Sequence, residues 1–285
     1  MTKPNKVDVE GALSEETLSS YLLNGTDRRI LSKAILDHIN SGGDLTVTAQ
    51  APVGDDSYTD KVGIPHILVD CVAPKTFQAY LDKGGDINLA DSVGNTAAHD
   101  LFSQYIDGDI SLAKDREKLL DIVIDKADLT IKSGIGLNPI ERAYAQISSR
   151  YEQNAASNYD GAGVKPALAS GNEFFDIVKN ASKDDPVLGQ FKQLQDKLVA
   201  KLGEDKVREF AKNGFEFDGS IYLKETEYLK QQDAKREGRS ASVSDLKLEG
   251  SIAQIAHGLS ELGVKETASA LSKPHGSGKE SHFIA

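Results

Sequence analysis

The sequence predicts an all-α protein, a solenoid of degenerate helix-turn-helix repeats with short finger loops and a helical C-terminal cap. Three observations carry that expectation. Apolar residues recur at helical spacing along most of the chain, as in Ile30, Leu31, Ala34, Ile35 and Ile39. Helix endings of one type, Ser41-Gly42-Gly43-Asp44, Lys83-Gly84-Gly85-Asp86 and Lys126-Ala127-Asp128, recur at intervals of 42 residues (44, 86, 128). The hydrophobic share is 39 % while aromatics are only 6 % with no Trp, which suits stacked helices better than a bulky sandwich core. Units recurring at fixed spacing stack to bury faces that no single unit can bury.

The elements follow in order. Residues 1–12 are polar and expected to be flexible. Ser14 is placed to cap a helix over Glu15–Leu23, with Glu15 and Glu16 in the first turn where the helix dipole favours acid. A second helix spans about Asp27 to Asn40 and stops at Gly42-Gly43. A long finger from Leu45 to Ile64 precedes a helix over Pro65–Val72; Pro65 suits the first helical position, where a missing N–H costs nothing. The next helix, Pro74–Lys83, turns Phe77, Tyr80 and Leu81 inward and ends in paired glycines that tolerate positive φ.

The finger of residues 85–95 has its tip at Asp91-Ser92-Val93-Gly94, and Asn95 and Thr96 offer short polar side chains to the first turn of a helix over Thr96–Tyr105. Residues 107–111 lengthen the loop before a helix over about Leu112–Lys126. Another finger follows from Asp128 to Gly134, and the next helix starts at Asn138-Pro139-Ile140-Glu141 and continues to about Ala156.

Beyond Ala145 the pattern fades into an insertion loop at 158–166 and helices over Asn172–Ala181, Pro186–Leu202 and Glu204–Lys212. Lys212-Asn213-Gly214-Phe215 reads as a helix ending plus finger about two periods past Asp128, so a fourth and fifth degenerate unit are expected here. A charge-dense helix from Ile221 to Glu237 would serve as the polar outer cap. Four segments result: a flexible N-terminus (1–12), repeats (13–150), degenerate repeats or cap (151–237), and a linker, short helix and flexible tail (238–285).

The run Lys83-Gly84-Gly85, finger, Thr96-Ala97-Ala98-His99 resembles the ankyrin repeat, whose mark is a Thr-Pro-Leu-His-x-Ala start after a β-turn. Asn138-Pro139-Ile140-Glu141 is similar, with Asn in place of Thr and Glu in place of His. The interval departs from the family's ~33 residues through the long finger at 45–64 and the loop at 106–111. The resemblance implies that His99 is structural, its ring bonding finger backbone beside Thr96. It also implies a concave groove of finger tips and first helices that grips a protein partner. Carried over by position, the contacts are Lys61 and Val62; Ser92, Val93 and Asn95; Gly134, Ile135 and Leu137; Ser103 and Gln104; and Ala145 and Gln146. Val93, Ile135 and Leu137 would then be exposed together, and a contiguous apolar patch on a rim marks an interaction site.

Charge narrows the partner. The net charge of −11, from 44 acids against 33 bases, disfavours nucleic acid and steers toward a basic protein surface. The single cysteine, Cys71, lies in an apolar run and permits no intrachain disulfide, so a reducing, cytoplasmic setting is expected. The start has no signal-peptide pattern, and no run of ~18 apolar residues could span a membrane. The six histidines lack metal-ligand spacing, Asp55-Asp56 and Asp107-Gly108-Asp109 lack EF-hand spacing, and Gly276-Ser277-Gly278-Lys279 lacks the phosphate-loop pattern. No cofactor or metal is expected.

These readings converge on a non-enzymatic protein-binding scaffold. The C-terminal stretch ending Phe283-Ile284-Ala285 is similar to the unfolded signals of bacterial type IV secreted effectors, many of which carry ankyrin repeats. That resemblance implies a virulence protein delivered into a host cytoplasm to act on a host protein. The competing reading is an enzyme using Glu173, Asp176, Glu204 and Asp205 in the C-terminal helical region.

Overall fold

The computed structural model describes residues 13–53, 58–107, 113–157, 170–217 and 220–236. Among these the chain is mostly helical, with eleven helices and one two-stranded sheet. The described residues fall into two units, divided after residue 221.

Helix α1 (Glu15–Leu23) begins where Ser14 Oγ accepts from the Thr17 N–H at 3.2 Å. Helix α2 (Arg28–Asn40) begins where Asp27 accepts from the Arg29 N–H at 2.8 Å. The side chain oxygens satisfy donors that the first turn leaves free. Gly42, with φ of +77°, then turns the chain out of α2.

The long finger predicted at 45–64 is a β-hairpin. Strand β1 (Thr48–Val53) pairs antiparallel with β2 (Tyr58–Gly63), Thr48 opposite Gly63 and Val53 opposite Tyr58. Both outer edges are closed within the chain: the Gln50 N–H donates to Ser19 Oγ at 2.8 Å on one side, and the Lys61 N–H donates to Ser92 Oγ at 2.9 Å on the other. Pro52 falls two residues beyond Gln50, on the same outward row, where no ladder donor is required. A sheet this short has little stability alone, so its edges are held by neighbouring elements.

The remaining helices form two rows. Helices α3 (Ile64–Asp70), α5 (Ala97–Asp107) and α7 (Pro139–Ser157) pack side by side; α2, α4 (Pro74–Asp82) and α6 (Ala113–Lys126) form the second row against them. The core between the rows is aliphatic with a few rings, including Leu68, Phe77, Tyr80, Phe102 and Leu120, all essentially excluded from water. Each helix buries one stripe of its surface because its apolar residues keep helical spacing.

Three corners connect the rows in one way. Asp44 accepts from the Thr46 N–H at 2.8 Å, Asp86 from the Asn88 N–H at 2.8 Å, and Asp128 from the Thr130 N–H at 2.9 Å. The two fingers that follow also match bond for bond. The Asp91 N–H donates to Asn95 O at 2.8 Å and the Ser133 N–H to Leu137 O at 2.9 Å. Gly94 and Gly136 sit at φ of +87° and +84°, a conformation glycine adopts without steric penalty.

Helices α8 (Gly171–Asn180), α9 (Gly189–Leu202) and α10 (Glu204–Phe215) complete the first unit. Helix α9 lies on α5 and α6, while α10 lies on α7 and α8. The expected helix ending and finger at 212–218 is corrected here. Helix α10 continues through Phe215, and Gly214 is a close-contact residue: a Cβ there would lie 2.2 Å from Glu141 O. Glycine at 214 therefore serves helix approach, not chain reversal. No further finger follows 128–138 among the described residues. In the second unit, helix α11 (Ile221–Arg236) agrees with the predicted helix; the predicted linker, short helix and tail at 238–285 lie outside the described residues.

Candidate functional site

The candidate face is built on the starts of α3, α5 and α7. His99 accepts at Nδ1 from the Thr96 N–H at 2.9 Å, which fixes the proton on Nε2, and Nε2–H then donates to Leu137 O at 3.1 Å. Burial drives its pKa down to about 3, so the ring is neutral. His66 repeats the arrangement. Its Nδ1 accepts from the Gly63 N–H at 3.3 Å and its Nε2–H donates to Asn95 O at 3.0 Å. At the third start Glu141 takes the ring's place, accepting from the Asn138 N–H at 3.0 Å through one oxygen and from Asn213 Nδ2 at 2.8 Å through the other. The histidine rings span to the next finger; the glutamate reaches α10 instead.

These bonds set hairpin and fingers edge to edge. The Ser92 N–H donates to Asp60 Oδ1 at 3.1 Å, joining the 91–95 finger to β2. The Gly134 N–H donates to Val93 O at 2.6 Å, and the Asp128 N–H to Asn88 Oδ1 at 2.9 Å, joining the two fingers.

This lateral contact overturns the predicted apolar patch. Val93 is 3 % exposed and Leu137 6 %, because each sits where one finger covers the next, and Asn95 is buried too. Ile135 stays half-buried. Ala145 is also buried. What remains accessible is mainly polar. Lys61 and Gly134 are exposed, while Val62, Ser92, Ser103, Gln104 and Gln146 are half-buried. Lys61 Nζ reaches Glu15 at 3.3 Å, and Ser103 Oγ donates to His99 O at 2.9 Å. Gln104 and Gln146, at corresponding positions on neighbouring helices, each hold a side-chain carbonyl oxygen with no hydrogen-bond partner among the described residues.

The junction of hairpin and finger is acidic. Asp60 and Asp91 share a hydrogen bond, and Asp60 also accepts from Ser92 Oγ. Burial, then the charges of Asp60 and Asp100, push the Asp91 carboxyl up to about 9, so Asp91 holds a proton at neutral pH. Burial likewise raises Asp100, against the opposing pull of His66 and Arg142. Sequence reasoning missed this group, since its members are separated in the chain and meet only when the hairpin docks. Among the described residues no cluster of three His, Cys, Asp or Glu side chains is arranged to hold a metal ion.

Other candidates resolve differently. Burial and Asp70 push the Cys71 thiol up to about 12, which withholds the thiolate a nucleophile needs. Asp176 and Glu204 are held below the usual carboxylate range by surface bonds to Arg208 and Lys179, and Arg208 lies 4.1 Å over the Phe175 ring. These acids tie α8 to α10; Glu173 and Asp205 are exposed. Residues 55, 56, 108 and 109 and the stretch 276–281 lie outside the described residues.

Among the described residues no helix is long and apolar enough to cross a membrane. No protein-family model matches the chain, and no curated protein matches it.

Proposed function

We infer that the protein is an ankyrin-like, non-enzymatic scaffold that binds a protein partner along the face formed by the hairpin, the two fingers and the accessible sides of α5 and α7. The observation that carries this reading is the equivalence of His66 and His99, each bridging its own helix start to the following finger. Such bridges give a rigid rim, and rigid presentation limits the entropy lost on binding. Acidic net charge supports a partner with a basic surface, which it steers by long-range attraction. The similarity of the C-terminal stretch to secreted-effector signals supports a host protein as the target.

The contact set is revised by burial. Val93, Asn95, Leu137 and Ala145 are interior, so Lys61, Ser92, Ser103, Gln104, Ile135 and Gln146 carry the face. Isothermal titration of the co-purified partner against wild type and a Gln104→Arg/Gln146→Arg variant tests it. Introduced cations repel a basic partner, and loss of at least about tenfold in affinity is expected, roughly 1.4 kcal/mol. Unchanged affinity in a folded variant removes this face.

A further inference from the structure

Gln104 and Gln146 occupy the same place on α5 and α7, each eight residues past the residue that opens its helix (96 to 104, 138 to 146). Each side-chain carbonyl oxygen is withdrawn from water and meets no donor among the described residues. Such acceptors are uncommon in a native fold, because each forgoes a bond that water would have supplied. A donor arriving from outside therefore gains a bond here without breaking one. Both side chains stay half-buried, and the last torsion of glutamine is soft, so a turn of the amide brings its oxygen to the face.

The surroundings narrow the donor. Residues four apart share one side of a helix, so Gln104 follows Asp100 on α5, whereas Gln146 lies between Arg142 and Arg150 on α7. A cationic donor at Gln146 would meet the charge of both guanidinium groups at short range. The donor that suits both positions is uncharged. Small residues, Ser103 and Ala145, precede the two glutamines, and Ser103 Oγ is drawn back onto His99 O at 2.9 Å. That leaves room for a main chain to lie close to both amides. A peptide group offers an N–H to Oε1 and a carbonyl to Nε2–H, matching the donor and acceptor of glutamine itself. Packed helices lie roughly 8–10 Å apart. In a polyproline II segment, three residues at ~3.1 Å each return an N–H to the same side about every 9 Å.

We propose that the partner of this face presents an extended, polyproline II-like segment read through its main chain, N–H groups three residues apart donating to Oε1 of Gln104 and of Gln146. The inference rests on the protein-binding reading of the face. It adds that the recognised element is an extended stretch of chain and not a folded surface.

Fluorescence anisotropy of overlapping peptides that tile the co-purified partner, titrated with the full chain, tests it. At least one peptide should bind. Replacing one amide N–H in it by an ester oxygen should weaken binding about tenfold at two positions, three residues apart. Gln104→Met and Gln146→Met keep side-chain length and should each weaken the parent peptide about tenfold. Each variant should also abolish the effect of one of the two esters, the coupling expected of a direct bond. If the intact partner binds and no peptide does, the extended segment is overturned and the scaffold reading stands. Ester effects equal in wild type and both Met variants overturn the inference as well. Intact-partner binding indifferent to Gln104→Arg/Gln146→Arg removes the face and the inference together.

Discussion

His66 and His99, 33 residues apart (66, 99), perform one task at successive helix starts. Each accepts a backbone N–H at Nδ1 and passes the Nε2 proton to the carbonyl of the next finger, Asn95 for one ring and Leu137 for the other. Replacing His99 by Ala strands the Thr96 N–H and the Leu137 carbonyl in a buried place. The expected loss is about 3 kcal/mol of unfolding free energy, read from urea denaturation.

The same ring gives a pH signature. With His99 lowered from 6.5 to about 3, the unfolded chain binds the proton more readily than the folded one. Its stabilisation is complete above about pH 6.5 and is lost as pH falls toward 3. The stability gap between wild type and His99→Gln should therefore narrow from pH 7 to pH 4.5. A gap constant across that interval would contradict the assignment.

Asp91 titrates in the opposite sense. Its carboxyl is raised from 3.8 to about 9, so the folded state holds the proton more tightly. Stability from this group is complete below about pH 3.8 and is lost as pH rises to about 9. Asn at 91 keeps an acceptor for the Val93 and Asn95 N–H groups, now 2.9 and 2.7 Å from Asp91 Oδ1, and offers Asp60 a donor that never ionises. Denaturation midpoints of Asp91→Asn should gain on wild type steadily from pH 5 to pH 9. Parallel profiles would refute a shared proton.

Two glycines predict unlike costs. Gly84 has φ of +89° with open space where a Cβ would sit, so Gly84→Ala should cost about 1 kcal/mol from backbone strain alone. At Gly214 a Cβ would meet Glu141 O at 2.2 Å and force α10 off α7, so Gly214→Ala should cost about 3 kcal/mol or more. Thermal unfolding of the two variants checks the order.

Local features of this fold were legible in the chain. Ser14 and Asp27 announced helix starts, Gly42 and Gly84 announced endings, and Asp44, Asp86 and Asp128 announced the corners, because each acts through bonds to backbone a few residues away. The missed features depend on distant partners. His66 follows Gly63 and Pro65 without a Thr, so its kinship with His99 shows only in the shared Nδ1 and Nε2 bonds. The hairpin escaped notice because β1 carries Pro52 and little alternation, and its edges are satisfied by Ser19 and Ser92. Val93 and Leu137 read as exposed tips until the fingers close on one another.

Site-specific photo-crosslinking to the bound partner tests the central claim most directly. Crosslinkers at Gln104, Ile135 and Gln146, each half-buried on the proposed face, are compared with crosslinkers at Lys206 and Glu209, exposed on α10. The account predicts adducts at the first three positions and none at the last two. Adducts confined to Lys206 and Glu209 would contradict it.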